Sequence, residues 1–373
     1  MTPIPLLSVV VVSRNDDHGG NLLHRMQLFV SGWLEQTKRH GLNSELVIVE
    51  WNPLTDRPRL AQVLEWPKSN GPCTVRIIEV PPEIHQRFDY SDKLPVFQMI
   101  GKNVGIRRAR GRFVLATNID ILFSDELMQY IASGQLSPDF MYRIDRHDVL
   151  SDIPNGPIDK QLDYCREHVI RMNNRTETLI IDNNNQHNGK PANICQTFQK
   201  RFLDVKNARD IIILGRDIID YIYNFVYSRT LRPLIYGKLL HTNACGDFTL
   251  MAREHWLELR GNPEFEMYSL YLDGLMCAAA HYSGVKEQVL AEPMRIYHIE
   301  HAPGSGWAPG LGAKLLDERL KKAGIDQLTY KEYLKHLRRI HWHRGPTIFN
   351  DENWGLWQKS LKEDTIIKAN WDK

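Results

Sequence analysis

The stretch Phe113-Val114-Leu115-Ala116-Thr117-Asn118-Ile119-Asp120-Ile121-Leu122-Phe123 carries the reading of the fold. An apolar run meets Asn118 and Asp120, and the chain then returns to Ile121, Leu122 and Phe123. A short apolar run bounded by polar residues reads as a buried strand. A carboxylate at its carboxyl end is desolvated, so it needs a cation, a donor cluster or a proton. Strand alternation with period two sends Asn118 and Asp120 to one face. Two oxygen ligands on one face suit a hard divalent cation carrying a phosphorylated substrate. A strand-end turn with an Asx cap is the structural alternative for the same residues.

Upstream of this stretch, strand and helix signals alternate. Ser8 to Ser13, Ser44 to Val49, Val75 to Val80 and Phe113 to Leu115 read as strands. Leu23, Met26, Phe29, Val30, Trp33 and Leu34 recur at helical spacing within Leu22 to His40, and Val96 to Ala109 reads as a second helix before Gly111. Strands separated by helices predict a parallel sheet with helices on both faces, and ligands bind such sheets beyond the carboxyl ends of the strands. The polar residues at those ends are Arg14 and Asn15, Glu50 and Asn52, and Asn118 and Asp120. The topology gathers them at one rim, which raises the functional reading of Asp120 above the structural one.

The chain has 373 residues, enough for a large core with an added lobe. A net charge of +2 and dispersed basic residues give no stripe of the kind nucleic-acid binders need. Five cysteines (Cys73, Cys165, Cys195, Cys245, Cys277) form no C-x-x-C pair, so neither a zinc-finger nor a disulfide framework is expected. The run from Leu6 to Val12 is too short for a leader and lacks a basic leading segment, and no stretch approaches a membrane span. A cytoplasmic protein is expected, with the inner face of the membrane as a second location.

Ser151 to Lys190 reads as an irregular insertion, and Ala208 to Tyr236 as an amphipathic helix that packs on the core or meets a membrane surface. Thr242 to Met251 reads as a loop running into a strand. Asp273 falls in the first turn of a helix running to Tyr282, where the helix dipole alone favours a carboxylate. A strand Met294 to Tyr297 delivers His298, Glu300 and His301. Alternation places His298 and Glu300 on one face and Ile299 and His301 on the other. Beyond the Gly/Pro-rich Ala302 to Gly312, the tail is helical and then rich in tryptophan (Trp342, Trp354, Trp357, Trp371), read mainly as anchoring it to the domain.

Together these blocks, from residue 6 to 301, resemble a GT-A fold glycosyltransferase of the broad family-2-like group. Ser8 to Asn15 resembles the opening strand and nucleotide loop, and Leu46 to Glu50 the second strand with its terminal acid. Lys102 to Ile106 with Ala109 to Gly111 resembles the helix before the metal motif, and Asn118-Ile119-Asp120 stands where the family carries D-x-D. Gly261 to Gly284 resembles the segment bearing the acceptor-side acid, and His298 and His301 stand where the family often supplies a metal-binding histidine. The resemblance implies a mostly parallel α/β sheet flanked by helices. It divides the chain into a catalytic domain over 1–305, with an insertion about 151–240, and a helical, Trp-rich extension over 306–373. It implies transfer of a hexose-type sugar from a UDP- or GDP-sugar to a hydroxyl on a glycan, a glycolipid or a small molecule, as in polysaccharide biosynthesis.

The same resemblance assigns roles. Asp273 is the base. Arg14, Asn15, Glu50, Asp92, Lys93, Lys102, Asn103, Asn118 and Asp120 lie on the donor side, and Asp247 and Glu264 on the acceptor side. Asp120, helped by Asn118 and by His298 or His301, holds Mn²⁺ or Mg²⁺. Asn118 keeps an oxygen but loses a charge against D-x-D, so a metal-independent enzyme stays open, as does retention if Asp273 lies far from the face opposite the leaving group. Two other classes share the core: a nucleotidyltransferase, which the acidic Asp16-Asp17 loop disfavours, and a non-catalytic carbohydrate-binding protein.

Overall fold

The computed structural model describes residues 3–68, 71–181, 231–301, 314–343 and 345–370. Strands β1 (Leu7–Ser13), β2 (Ser44–Trp51), β3 (Cys73–Val80) and β4 (Phe113–Ala116) lie parallel in the order β4-β1-β2-β3. Every residue of β1 and β2 is buried, as expected of strands covered on both faces. Their odd and even positions enter different cores. Val9, Val11, Leu46 and Ile48 pack with Met26, Phe29 and Trp33 of the helix Leu22–Arg39. Val10, Val12, Val47 and Val49 pack with Ile100 and Val104 of the helix Gln98–Arg108. Gly101 lets that second helix lie close on β1, since a Cβ there would stand 2.8 Å from a methyl of Val12.

Two further strand sets complete the architecture. β5 (Ile121–Phe123), β6 (Phe140–Ile144), β7 (Arg146–Val149), β8 (Val169–Asn173), β9 (Thr178–Ile180), β10 (Thr249–Ala252), β11 (Lys286–Leu290), β12 (Ile296–Ile299) and β13 (Lys362–Ile367) follow in the chain. The main sheet has eight strands in the order β11-β6-β10-β4-β1-β2-β3-β13, with β10 and β13 antiparallel to their neighbours. A second sheet, β5-β12-β7-β8-β9, stands beyond the carboxyl end of β4. The expected α/β architecture, a mostly parallel central sheet flanked by helices, is present.

Three segments differ from expectation. The Ser151 to Lys190 insertion contains, in its described part, the helix Ile158–Glu167 and the antiparallel pair β8 and β9. β8 is half-buried along most of its length, so it lacks the apolar run by which the other strands are legible. The extension expected to be helical has the helices Lys314–Ala323 and Tyr330–Trp342 and also β13, which closes the main sheet against β3. The boundary at 305 thus runs between segments that share a sheet, and Tyr333, Leu337 and Ile340 share a core with Leu272 and Leu275. Of the Ala208 to Tyr236 stripe, Arg232–Tyr236 is helical; residues 208–230, like Ala302 to Gly312, Cys195 and Trp371, lie outside the described residues. No helix among the described residues is long and apolar enough to cross a membrane.

The tail is held by charge as well as packing. Arg76 of β3 is 1% exposed, and it pairs with Glu45 of β2 at 2.8 Å and with Glu363 of β13 at 2.8 Å. Trp354 is buried, and Arg107 lies over its ring and over that of Trp357. Removing one member of a buried ion pair leaves the other charge unpaired, at about 3–5 kcal/mol. Arg76→Met strands Glu45 in this way and is expected to lower urea-unfolding stability by an amount of that order, whereas the exposed Arg110→Ala should cost below ~1 kcal/mol.

Candidate active site

Strand β4 ends at Ala116, and Thr117 to Asp120 form a turn before β5. The alternation expected through Asn118 and Asp120 is therefore broken, and their side chains take different partners. Asn118 donates from Nδ2 to Asp247 and accepts at Oδ1 from Gln98, 2.7 Å away. Asp120 is 7% exposed and faces Arg25, whose Nη1 lies 2.7 Å from Oδ2. The carbonyls of His18 and Gly20 accept from the other end of the same guanidinium.

The second sheet brings two histidines to the same carboxylate. β12 pairs antiparallel with β5 and parallel with β7, so His298 stands opposite both Ile121 and Asp148. The Ile299 N–H donates to the Asp120 carbonyl at 3.1 Å, which ties β12 to the turn. The strand stops at Ile299, one residue before alternation would matter for Glu300 and His301. His301 is thereby released from the opposite face, and this corrects the expectation that the two histidines diverge. His298 Nε2 lies 3.9 Å and His301 Nε2 3.6 Å from Asp120 Oδ2. The loop after β1 covers them. Gly19 has φ +72°, and a Cβ there would come within 2.5 Å of His301 Nδ1, so a side chain is excluded twice over.

A buried charge network continues from this point. Arg146 of β7 bridges Asp148 (2.8 Å) and Asp247 (2.5 Å). Burial opposes the charge of Asp247, but Arg146, His298 and Lys102 outweigh it and hold the carboxyl below its ordinary range. Burial and Arg146 pull His298 down, while Asp148 and Asp120 pull it up and prevail. Lys102 is 1% exposed and donates to the Gly246 carbonyl at 2.6 Å. Burial lowers its pKa against the pull of Asp247, Asp273 and Asp120. Asp273 lies in the first turn of the helix Leu272–Tyr282 and accepts the Gly274 N–H at 2.9 Å; its other oxygen would stand 2.9 Å from a Cβ at Gly246. The structure thus brings Lys102, Asn118, Asp120, Asp247, Asp273, His298 and His301 into one neighbourhood.

The remaining expected residues are distributed otherwise. Arg14 and Glu50 sit on the rim of β1 and β2, where Arg14 donates to the carbonyls of Asn52 and Pro95 and Glu50 accepts the Leu60 N–H. Asn15 donates to the Pro58 carbonyl at 2.8 Å. Asp92 and Lys93 are exposed, and Lys93 reaches the Gly324 carbonyl in the extension. Asn103 and Glu264 bond to each other and to Asn262 and Gly355, forming a clasp between the 261–264 turn and the tail rather than joining the Asp120 group.

Sequence reading missed Arg25, Arg146, Asp148 and Arg171. Arg25 carried a signal, because it lies between Leu22, Met26 and Phe29 on the apolar stripe of its helix. Asp120, His298 and His301 offer one oxygen and two nitrogens that all lie within 4.8 Å of one another. This donor set fits a divalent cation, with positions left for oxygens of a ligand.

No protein-family model matches the sequence, and no curated protein does. Among solved structures, the chain is similar to S. aureus TarS (13% identity, TM-score 0.37, covering 79% of this chain and 36% of that one). It is similar to the mannosyltransferase PcManGT from Pyrobaculum calidifontis in complex with GDP-Man and Mn²⁺ (13%, TM-score 0.38, 92% and 72%). It is also similar to the catalytic domain of Drosophila beta1,4galactosyltransferase 7 in complex with xylobiose (11%, TM-score 0.32, 79% and 71%). The chain spans about a third of the length of TarS.

The clasp yields a pH prediction. Burial pushes the Glu264 carboxyl up to about 7 from 4.5, against the hydrogen bonds from Asn103 and Gly355. A raised carboxyl pKa means that the native state binds the proton more tightly than the unfolded chain does. The contribution is fully present below pH ~4.5 and fades as pH rises through ~7, by roughly 3 kcal/mol in all. Urea unfolding across pH 4.5 to 8 should show this loss in the wild type and a flatter curve in Glu264→Gln.

Proposed function

We propose that the chain is a GT-A type glycosyltransferase that moves a sugar from a nucleotide-sugar to an acceptor hydroxyl. The observation that carries this reading is the meeting of Asp120, His298 and His301 beyond the carboxyl end of β4, with Asp273 and Lys102 nearby. Sugar transfer needs positive charge on the departing diphosphate and a base at the acceptor proton. A divalent cation held by the three residues would supply Lewis-acid stabilisation of that diphosphate. Two imidazoles in the set disfavour Mg²⁺, which prefers oxygen ligands, so Mn²⁺ is the better fit of the two.

The chain's own residues take the remaining roles. Lys102 adds buried positive charge between the two sides of the site. Asn118 serves as the strut that holds Asp247 in place. Asp273, at the opening of its helix, is assigned as the base toward the acceptor hydroxyl, which gives inversion at the anomeric carbon. Arg14 and Glu50 line the rim where the nucleotide would lie. UDP- and GDP-sugars both suit this site, as do glycan and lipid-linked acceptors.

The Arg25–Asp120 pair favours a second reading of the same reaction, in which the guanidinium itself supports the leaving diphosphate and no metal is required. Calorimetry with UDP and GDP, with and without Mn²⁺, separates the two. Metal-dependent binding of one nucleotide, weakened at least tenfold in Asp120→Ala, supports the metal enzyme. Metal-independent binding that is lost in Arg25→Gln supports the second reading, and no nucleotide binding by folded protein overturns both.

Removing a general base typically costs roughly 10²–10⁴ in rate. Asp273→Asn is therefore expected to lower kcat by about that factor with KM little changed, measured as release of the nucleoside diphosphate in the presence of acceptor. A drop confined to KM would move Asp273 from base to binding group.

A further inference from the structure

We propose that Asp148 is a positioning residue whose buried carboxylate, braced by Arg146 and Arg171, orients His298 so that Nε2 faces Asp120. The inference rests on the reading of Asp120, His298 and His301 as the cation-holding set. Parallel pairing of β7 with β12 puts Asp148 beside His298, and antiparallel pairing of β7 with β8 puts Arg171 on its other side. His298 Nδ1 lies 3.2 Å from Asp148 Oδ1, while Nε2, at the far edge of the ring, is the nitrogen nearer Asp120. A carboxylate fixed beside Nδ1 favours the proton on that nitrogen and the lone pair on Nε2, and this is the tautomer that can ligate on the Asp120 side.

The bracing separates this role from that of a second cation site. Asp148, His298 and Glu300 also bring three donor atoms within 4.8 Å of one another. Yet Asp148 is fully buried, with Arg146 Nε 2.8 Å from Oδ1 and with Arg171 Nε 2.8 Å and Asn173 Nδ2 3.0 Å from Oδ2. Glu300 is itself paired with Arg171. Two guanidinium groups around one carboxylate repel a further cation, and the hydrogen bonds from Arg146, Arg171 and Asn173 all fall on Oδ2. What they do provide is a rigid anion, because three strands and two arginines fix its place. Arg146 then links the brace to Asp247, and through Asp247 to Asn118.

Asp148→Asn tests the proposal, with Asp148→Asn/Arg171→Gln as a second variant that removes one charge of each sign and so guards against loss of the fold. Two readouts are used: ¹⁵N NMR of the His298 ring in metal-free protein at a pH where the ring is neutral, and Mn²⁺ affinity by calorimetry. The wild type is expected to carry its proton on Nδ1 and to bind one Mn²⁺. Both variants are expected to shift the proton toward Nε2 and to bind Mn²⁺ roughly 10- to 100-fold more weakly while remaining folded, the usual cost of losing a ligand's hydrogen-bonded support. An unchanged tautomer with Mn²⁺ affinity within about twofold of the wild type overturns the role of Asp148 and leaves the cation site standing. A wild type that binds no Mn²⁺ overturns the cation-site reading, and the proposal built on it falls with it. Binding of two Mn²⁺ ions by the wild type overturns the proposal in favour of a second site at Asp148.

Discussion

The centre of this protein is organised by the need to neutralise carboxylates that the fold has taken out of water. Asp120, Asp148 and Asp247 are at most 7% exposed. Each would be costly alone, and each is matched: Asp120 by Arg25, Asp148 by Arg146 and Arg171, Asp247 by Arg146. Lys102 and His298 sit among them. Arg146 serves Asp148 and Asp247 together and His298 stands between Asp148 and Asp120, so the group behaves as one lattice of alternating charge. Its partners come from the first helix, from β7, β8 and β12, and from the loop ahead of β10. Strand register therefore becomes a condition of electrostatic balance.

That lattice explains why the second sheet exists where it does. The turn after β4 ends the parallel order that β1, β2 and β3 establish, and β5 leaves it in a new direction. β12 then pairs with β5, and β7 with β12, delivering His298 to the open side of Asp120 with Asp148 behind it. On the other side, Asn118 uses its amide as a donor toward Asp247. An aspartate at 118 would set its carboxylate directly against that of Asp247 and would lack an N–H to donate. In this setting the asparagine suits the neighbouring acid, whose carboxylate its N–H meets.

The main strands, the flanking helices and the rim were legible because burial on both faces writes continuous apolar runs and helical stripes into the sequence. Asp120 was legible for the same reason, as a charge stranded at the end of such a run. Its histidine partners were reachable only through resemblance. Their true relation to it depends on where β12 stops, which two residues of alternation pattern cannot reveal. Arg146, Asp148 and Arg171 were opaque because strands of mixed exposure, such as β8, look like loops when read alone. β13 was opaque for a related reason: four of its six residues are charged or polar, and its place in the sheet is fixed by Arg76 from another strand.

The division between legible and opaque parts follows the distance over which each is determined. A strand or helix is decided within some ten residues, by periodicity. The charge lattice is decided between residues as far apart as Arg25 and Asp120, or Asp148 and His298, and nothing local distinguishes those arginines from solvated ones. The physical mark they do leave is negative: a charge standing in an apolar stripe, as Arg25 stands between Leu22, Met26 and Phe29. Burying such a side chain is unfavourable unless a partner of opposite sign is waiting. An arginine in that position is thus evidence that an acid from elsewhere in the chain will meet it. Arg25 and Asp120 bear this out from opposite ends: each is a misplaced charge in its own segment, and each removes the misplacement of the other.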